Sequence, residues 1–119
     1  VRIMEDKDVI KLAREQRTVF EVCITSNYQS GVVADIEKHP YPDMLEAGLN
    51  ITLNTDDPSI SDITLSEEYR TACETLGIPL SVLRRQILAA AEGAFLPPEE
   101  KKNLSENLQE ELDKKIPLA

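Results

Sequence analysis

Asn50-Ile51-Thr52-Leu53-Asn54-Thr55 mixes β-branched and apolar residues with small polar ones, then breaks off at Asp56-Asp57-Pro58. The first six residues predict a strand, and the Asp-Asp-Pro that follows predicts its abrupt end. Working backward, Gly48 suits the C′ position of a short helix over residues 43–47, entered from the Pro-broken His39-Pro40-Tyr41-Pro42. Residues 26–31 read as a polar turn. Residues 18–25 (Thr-Val-Phe-Glu-Val-Cys-Ile-Thr) are β-branched or apolar at nearly every position, the pattern of a strand covered on both faces, as in a parallel sheet. Two such strands joined through a helix make a βαβ unit.

Working forward, the sequence turns helical. Thr64-Leu65-Ser66-Glu67 has the form of a capping box opening a helix to Leu76, which Gly77 ends. Ser81 is the expected cap of the next helix, with Leu83, Ile87, Leu88 and Ala91 in one stripe. Pro97-Pro98-Glu99 starts the last, where Leu104, Leu108 and Leu112 recur every fourth residue as a packing stripe. Glu110 to Lys114 and Glu111 to Lys115 are i,i+4 pairs in the favourable order. At the front, residues 5–16 carry Val9, Ile10, Leu12 and Ala13 among charges, one apolar helix face. Two parallel strands cannot cover each other's outer edges. The pattern is therefore that of the closing portion of a larger α/β barrel, incomplete by itself. Val1 at the front, with the first Met at position 4, is expected to mark a break in a longer chain.

With 119 residues, the sequence fits one domain. It has 13 Lys or Arg against 22 Asp or Glu, net −9, with only 4% aromatics. That balance argues against nucleic acid, which wants basic clusters and stacking rings, and against anionic membrane surfaces. The longest apolar run, near Ile87 to Ala91, is far short of a bilayer span of about 20 residues. Cys23 and Cys73 lie far apart without C-x-x-C spacing, as expected of two reduced, packed thiols. The expected location is the cytoplasm, with no membrane association.

Asp56-Asp57-Pro58 carries the sharpest chemistry. Adjacent carboxylates at the end of a buried strand repel one another unless a cation neutralises one, one holds a proton, or both reach solvent. In parallel α/β folds the C-terminal strand ends carry the active site. Strand alternation would send the two side chains to opposite sides, so one site can use both only if the chain turns there. Pro58 biases Asp57 to extended geometry. On composition alone the ordinary loop turn is the commoner reading of such a motif, and the motif is too short to close either reading. His39, the sole histidine, is expected to serve a turn or helix start, and Ser26 and Asn27 to cap the turn after the first strand.

Several motifs in order carry a resemblance: Cys23-Ile24-Thr25-Ser26-Asn27, Gly31-Val32-Val33, His39-Pro40, Ala47-Gly48-Leu49, the run from Ile51 to Ser59, Thr64-Leu65-Ser66-Glu67-Glu68-Tyr69, and Ala94-Phe95-Leu96-Pro97. Together they resemble the C-terminal third of the adenosine deaminase family, in its bacterial form, over nearly the whole chain. The resemblance implies a (β/α)8 barrel in which residues 1–119 are the C-terminal part of a single domain. It further implies a Zn2+ cofactor and hydrolytic deamination of adenosine and deoxyadenosine to inosine and ammonia, in purine metabolism. By position, Asp56 matches the family's aspartate zinc ligand, which also orients the activated water. Asp57 matches the aspartate that hydrogen-bonds N7 of the purine, for which it must carry a proton.

The family's His-x-His ligands, its His-Ala-Gly-Glu segment and its Gly-His-Gly turn find no match from Val1 onward. No catalytic residue is therefore expected within these residues, and activity is expected only beside the N-terminal remainder of the barrel. Two alternatives stand: an adenine or modified-adenosine deaminase of the same superfamily, and a non-catalytic, acidic helical domain that binds a protein partner.

Overall fold

The computed structural model describes residues 1–117; positions 118 and 119 of the expected 1–119 domain lie outside the described residues. The chain divides into two compact units, Val1–Ile78 and the segment from Pro79 onward.

In the first unit, a single 3-10 turn, Arg2–Glu5, precedes helix α1, Lys7–Glu15. Asp6 caps α1, its Oδ1 accepting from the N–H groups of Asp8 and Val9. The helix thus begins two residues later than the apolar pattern predicted. Strand β1 is Val19–Val22, and helix α2, Ile24–Gln29, follows at once. This corrects two expectations: the strand is half the predicted length, and the predicted turn at residues 26–31 is mostly helix. The apolar run continued through Cys23 and Ile24 because buried helical residues are as apolar as buried strand residues. Helix α3 is Tyr41–Glu46, after a 3-10 turn at Ile36–Lys38, and Gly48 with φ of 74° lets the chain reverse into strand β2, Asn50–Leu53.

β1 and β2 pair in parallel, with Val19 opposite Asn50 and Val22 opposite Leu53. The peptide N–H of Asn54 extends the ladder to the Val22 carbonyl at 2.9 Å. Val22, Ile51, Thr52 and Leu53 are buried, with Ile24, Tyr41, Met44 and Leu49 around them. Among the described residues the sheet has only these two strands, so each keeps an unpaired outer edge. Val9 and Leu12 of α1 remain about half exposed, so much of its apolar face is uncovered.

Helix α4, Pro58–Ser61, was not anticipated. Helix α5, Leu65–Glu74, opens on the predicted capping box: Glu67 N–H donates to Thr64 Oγ1 and Thr64 N–H to Glu67 Oε2. The Thr64 N–H and hydroxyl, both donating to Glu67 Oε2, hold the Glu67 carboxyl below its ordinary pKa.

The second unit is a helical pair, α6 (Leu80–Gly93) packed on α7 (Pro98–Lys115). Pro79, not Ser81, occupies the N-cap position of α6. Ser81 lies inside the helix because Pro79 already sets its start. Of the predicted stripes, Leu83, Ala91 and Leu112 are buried, and Ile87, Leu88, Leu104 and Leu108 are half-buried. Buried Arg84 donates to the Ile116 carbonyl at 2.8 Å and to Asp113 Oδ1. Lys115 reaches Glu111 at 3.2 Å as expected, whereas Lys114 turns to Glu111 at 3.5 Å rather than to Glu110. No helix among the described residues is long and apolar enough to cross a membrane.

Candidate active-site edge at the end of the second strand

Beyond Asn54, whose N–H still joins the ladder, the chain turns at Asp56. Asp56 has φ of 61°, a left-handed value that aspartate tolerates better than most residues. That turn interrupts strand alternation, the condition under which neighbouring carboxylates can serve one place. Asp57 returns to extended geometry (φ −105°, ψ 98°), as Pro58 requires.

The two acids then take different jobs. Asp57 Oδ1 accepts from the N–H groups of Ser59 and Ile60 at 3.1 and 3.2 Å, capping α4. The turn reading is thus realised at Asp57, which still leaves its Oδ2 unassigned to any described partner. Asp56 is exposed, and its Oδ2 accepts from the Ser26 hydroxyl at 2.8 Å. Its Oδ1 is the oxygen left for something else.

The donor chemistry can be tested against a divalent cation. An exposed carboxylate with one oxygen fixed and the other open suits a single ligand position on zinc. No group of three or more His, Cys, Asp or Glu that could hold a metal occurs among the described residues. Asp56 fits as one donor of a set, not as a complete site. Cys23 stands beside it, and burial first, then the negative charges of Asp56 and Glu68, push its thiol up to about 11. With no cation beside it, Cys23 is a protonated thiol at neutral pH.

Ser26 was expected to cap a turn, yet it reaches thirty residues along the chain to Asp56. Asn27 accepts from His39 Nε2 at 2.9 Å, and His39 Nδ1 accepts from the Tyr41 N–H, the first residue of α3, at 3.0 Å. Both ring nitrogens of His39 are engaged and burial lowers its pKa to about 4. It is a neutral structural histidine at the start of α3, as expected.

Sequence reasoning missed Glu68. This residue of α5 is 0% exposed, and its carboxyl group accepts from the Thr25 N–H at 3.0 Å and from the Thr25 hydroxyl. Thr25 lies in the first turn of α2, whose N-cap residue, Cys23, makes no side-chain cap bond. Glu68 therefore caps α2 from another element. The one available signal is that Glu68 lies four residues before Ala72, also 0% exposed, placing a carboxyl on the buried arc of α5.

A profile of the adenosine deaminase family matches residues 1–111. An adenosine deaminase of Escherichia coli O1:K1 / APEC is 35% identical over 108 residues, 91% of this chain and 32% of that protein. One from Escherichia coli O139:H28 is 34% identical over the same length. The chain thus spans about a third of the curated relatives it matches. Among solved structures, the adenine deaminase of Arthrobacter aurescens superimposes with TM-score 0.88 at 25% identity, over 95% of this chain and 35% of that one. The N6-methyl-AMP deaminase of Arabidopsis thaliana does so with TM-score 0.78 at 27% identity, over 88% and 31%. The fold is α/β, corresponding to the C-terminal portion of a (β/α)8 barrel and open in the described residues. The chain belongs to the adenosine deaminase family.

Proposed function

We propose that residues 1–119 form the C-terminal part of one barrel domain that deaminates adenosine hydrolytically to inosine and ammonia, with Zn2+ as cofactor. The reading rests above all on Asp56, a carboxylate at the C-terminal end of β2 with Oδ2 fixed by Ser26 and Oδ1 open. Strand ends of this kind carry the active sites of parallel barrels. Asp56 would hold the metal alongside donors from the N-terminal remainder. Zinc, when bound, supplies Lewis-acid activation of water near neutral pH. Asp57, its Oδ1 engaged in capping α4, would carry a proton on Oδ2 and donate it in a hydrogen bond to N7 of the purine. Family membership favours this enzyme over a non-catalytic acidic binding domain.

Substitution of Asp56 by Ala in the full-length polypeptide tests the reading. Zinc content and adenosine turnover should both fall, by more than the roughly 10–100-fold typical of losing an outer-shell partner. Wild-type zinc content with retained turnover overturns it.

A second reading, action on adenine or a modified adenosine, draws support from the structural likeness to an adenine deaminase and an N6-methyl-AMP deaminase. Parallel assays on adenosine, adenine and an N6-methylated nucleotide separate the two. A strong preference for either of the last two replaces adenosine as the substrate.

A further inference from the structure

α2 has six residues, too few to be stable on its own, since isolated helices shorter than about 12–15 residues are marginal in water. Its position comes from outside. The Gln29 amide donates to the Ser61 carbonyl at the end of α4 at 3.0 Å, Asn27 accepts from His39, and Glu68 caps the first turn through Thr25. The residue after Thr25 is Ser26, whose hydroxyl meets Asp56 Oδ2. Glu68 is thus linked to Asp56 through two consecutive residues of one short helix. An anionic group at a helix N-terminus also suits the helix dipole, and its complete burial leaves it little freedom to move.

We propose that Glu68 is a positioning residue for Asp56: by capping α2 it sets the Ser26 hydroxyl, which orients the Asp56 carboxylate and thereby tunes zinc affinity. The proposal rests on Asp56 being a zinc ligand. Partners that orient a ligand typically tune metal affinity about 10–100-fold.

The test measures the Zn2+ dissociation constant by chelator competition on the folded full-length polypeptide. Ser26→Ala should weaken zinc binding within that range, and Ser26→Thr, which keeps a hydroxyl, should restore most of it. Glu68→Gln should weaken zinc binding too, and the Glu68→Gln/Ser26→Ala double variant should bind no more weakly than Ser26→Ala, because both act along one line. If Glu68→Gln fails to fold, Thr25→Val replaces it, removing the hydroxyl that meets Glu68 while keeping the peptide bond. Wild-type zinc affinity in a folded Glu68→Gln or Thr25→Val protein, or effects that multiply in the double variant, overturn the proposal. Asp56→Ala separates the two levels: lost zinc there with an unaffected Glu68→Gln rejects only the positioning role, whereas retained zinc rejects the ligand assignment itself.

Discussion

Up to Ile78 the chain is tied together by side chains that reach across 12 to 43 residues of sequence: Glu68 to Thr25, Ser26 to Asp56, Gln29 to Ser61, His39 to Asn27. From Pro79 onward a helical pair relies on apolar stripes and i,i+3 or i,i+4 charges, with Arg84 as its long-range polar clamp. The difference teaches where precision is needed. A packing stripe tolerates small shifts, whereas a hydrogen bond between side chains far apart in sequence forms only when the fold brings donor and acceptor to a set distance and angle. Among the described residues, the first unit also keeps two open strand edges and a half-exposed apolar face on α1.

Three perturbations sharpen that contrast. Glu68→Ala carries the largest expected effect, a loss of roughly 3–4 kcal/mol in urea unfolding of the full-length protein, because it leaves the Thr25 N–H and hydroxyl without their acceptor and opens a cavity. A loss below about 1 kcal/mol would mean that α2 is held without it. His39 comes next. Its pKa in the folded protein, about 4, lies below the ordinary 6.5, so the unfolded chain takes up a proton that the folded one refuses. Stability is therefore full above pH 6.5 and falls as pH drops toward 4, by roughly 2–3 kcal/mol from this residue. Denaturation midpoints against pH, compared with His39→Gln, should show that slope in the wild type alone. Glu111→Gln is the smallest. It removes both the Lys114 and Lys115 pairs, yet all three side chains are mostly exposed, and the expected change is under about 0.5 kcal/mol. A larger loss would show that the charged side of α7 is more than solvated surface.

Legibility followed the range of the interactions. The capping box at Thr64 and Glu67, the reversal at Gly48 and the leucine stripe of α7 could be read directly, since each is decided within a few residues. The end of β1 could not: Val22, Cys23 and Ile24 are apolar on both sides of the strand-to-helix change, and only backbone pairing marks the boundary. α4 was hidden because Asp57-Pro58 signals a turn and a helix start alike. Ser26 looked like a local cap because its true acceptor, Asp56, lies thirty positions away.

The sequence by itself determined the capped start of α5, the reversal at Gly48, the parallel character of the strands and the pairing of two acids at a strand end, because propensity, capping and periodicity act over a few residues. Tertiary structure alone decided that Asp57 turns to cap α4 while Asp56 turns to Ser26, and that a glutamate on α5 completes a helix beginning forty-four positions earlier. Those choices belong to groups brought together by burial: a buried carboxyl must find donors wherever the fold supplies them, and no local pattern records which ones it meets.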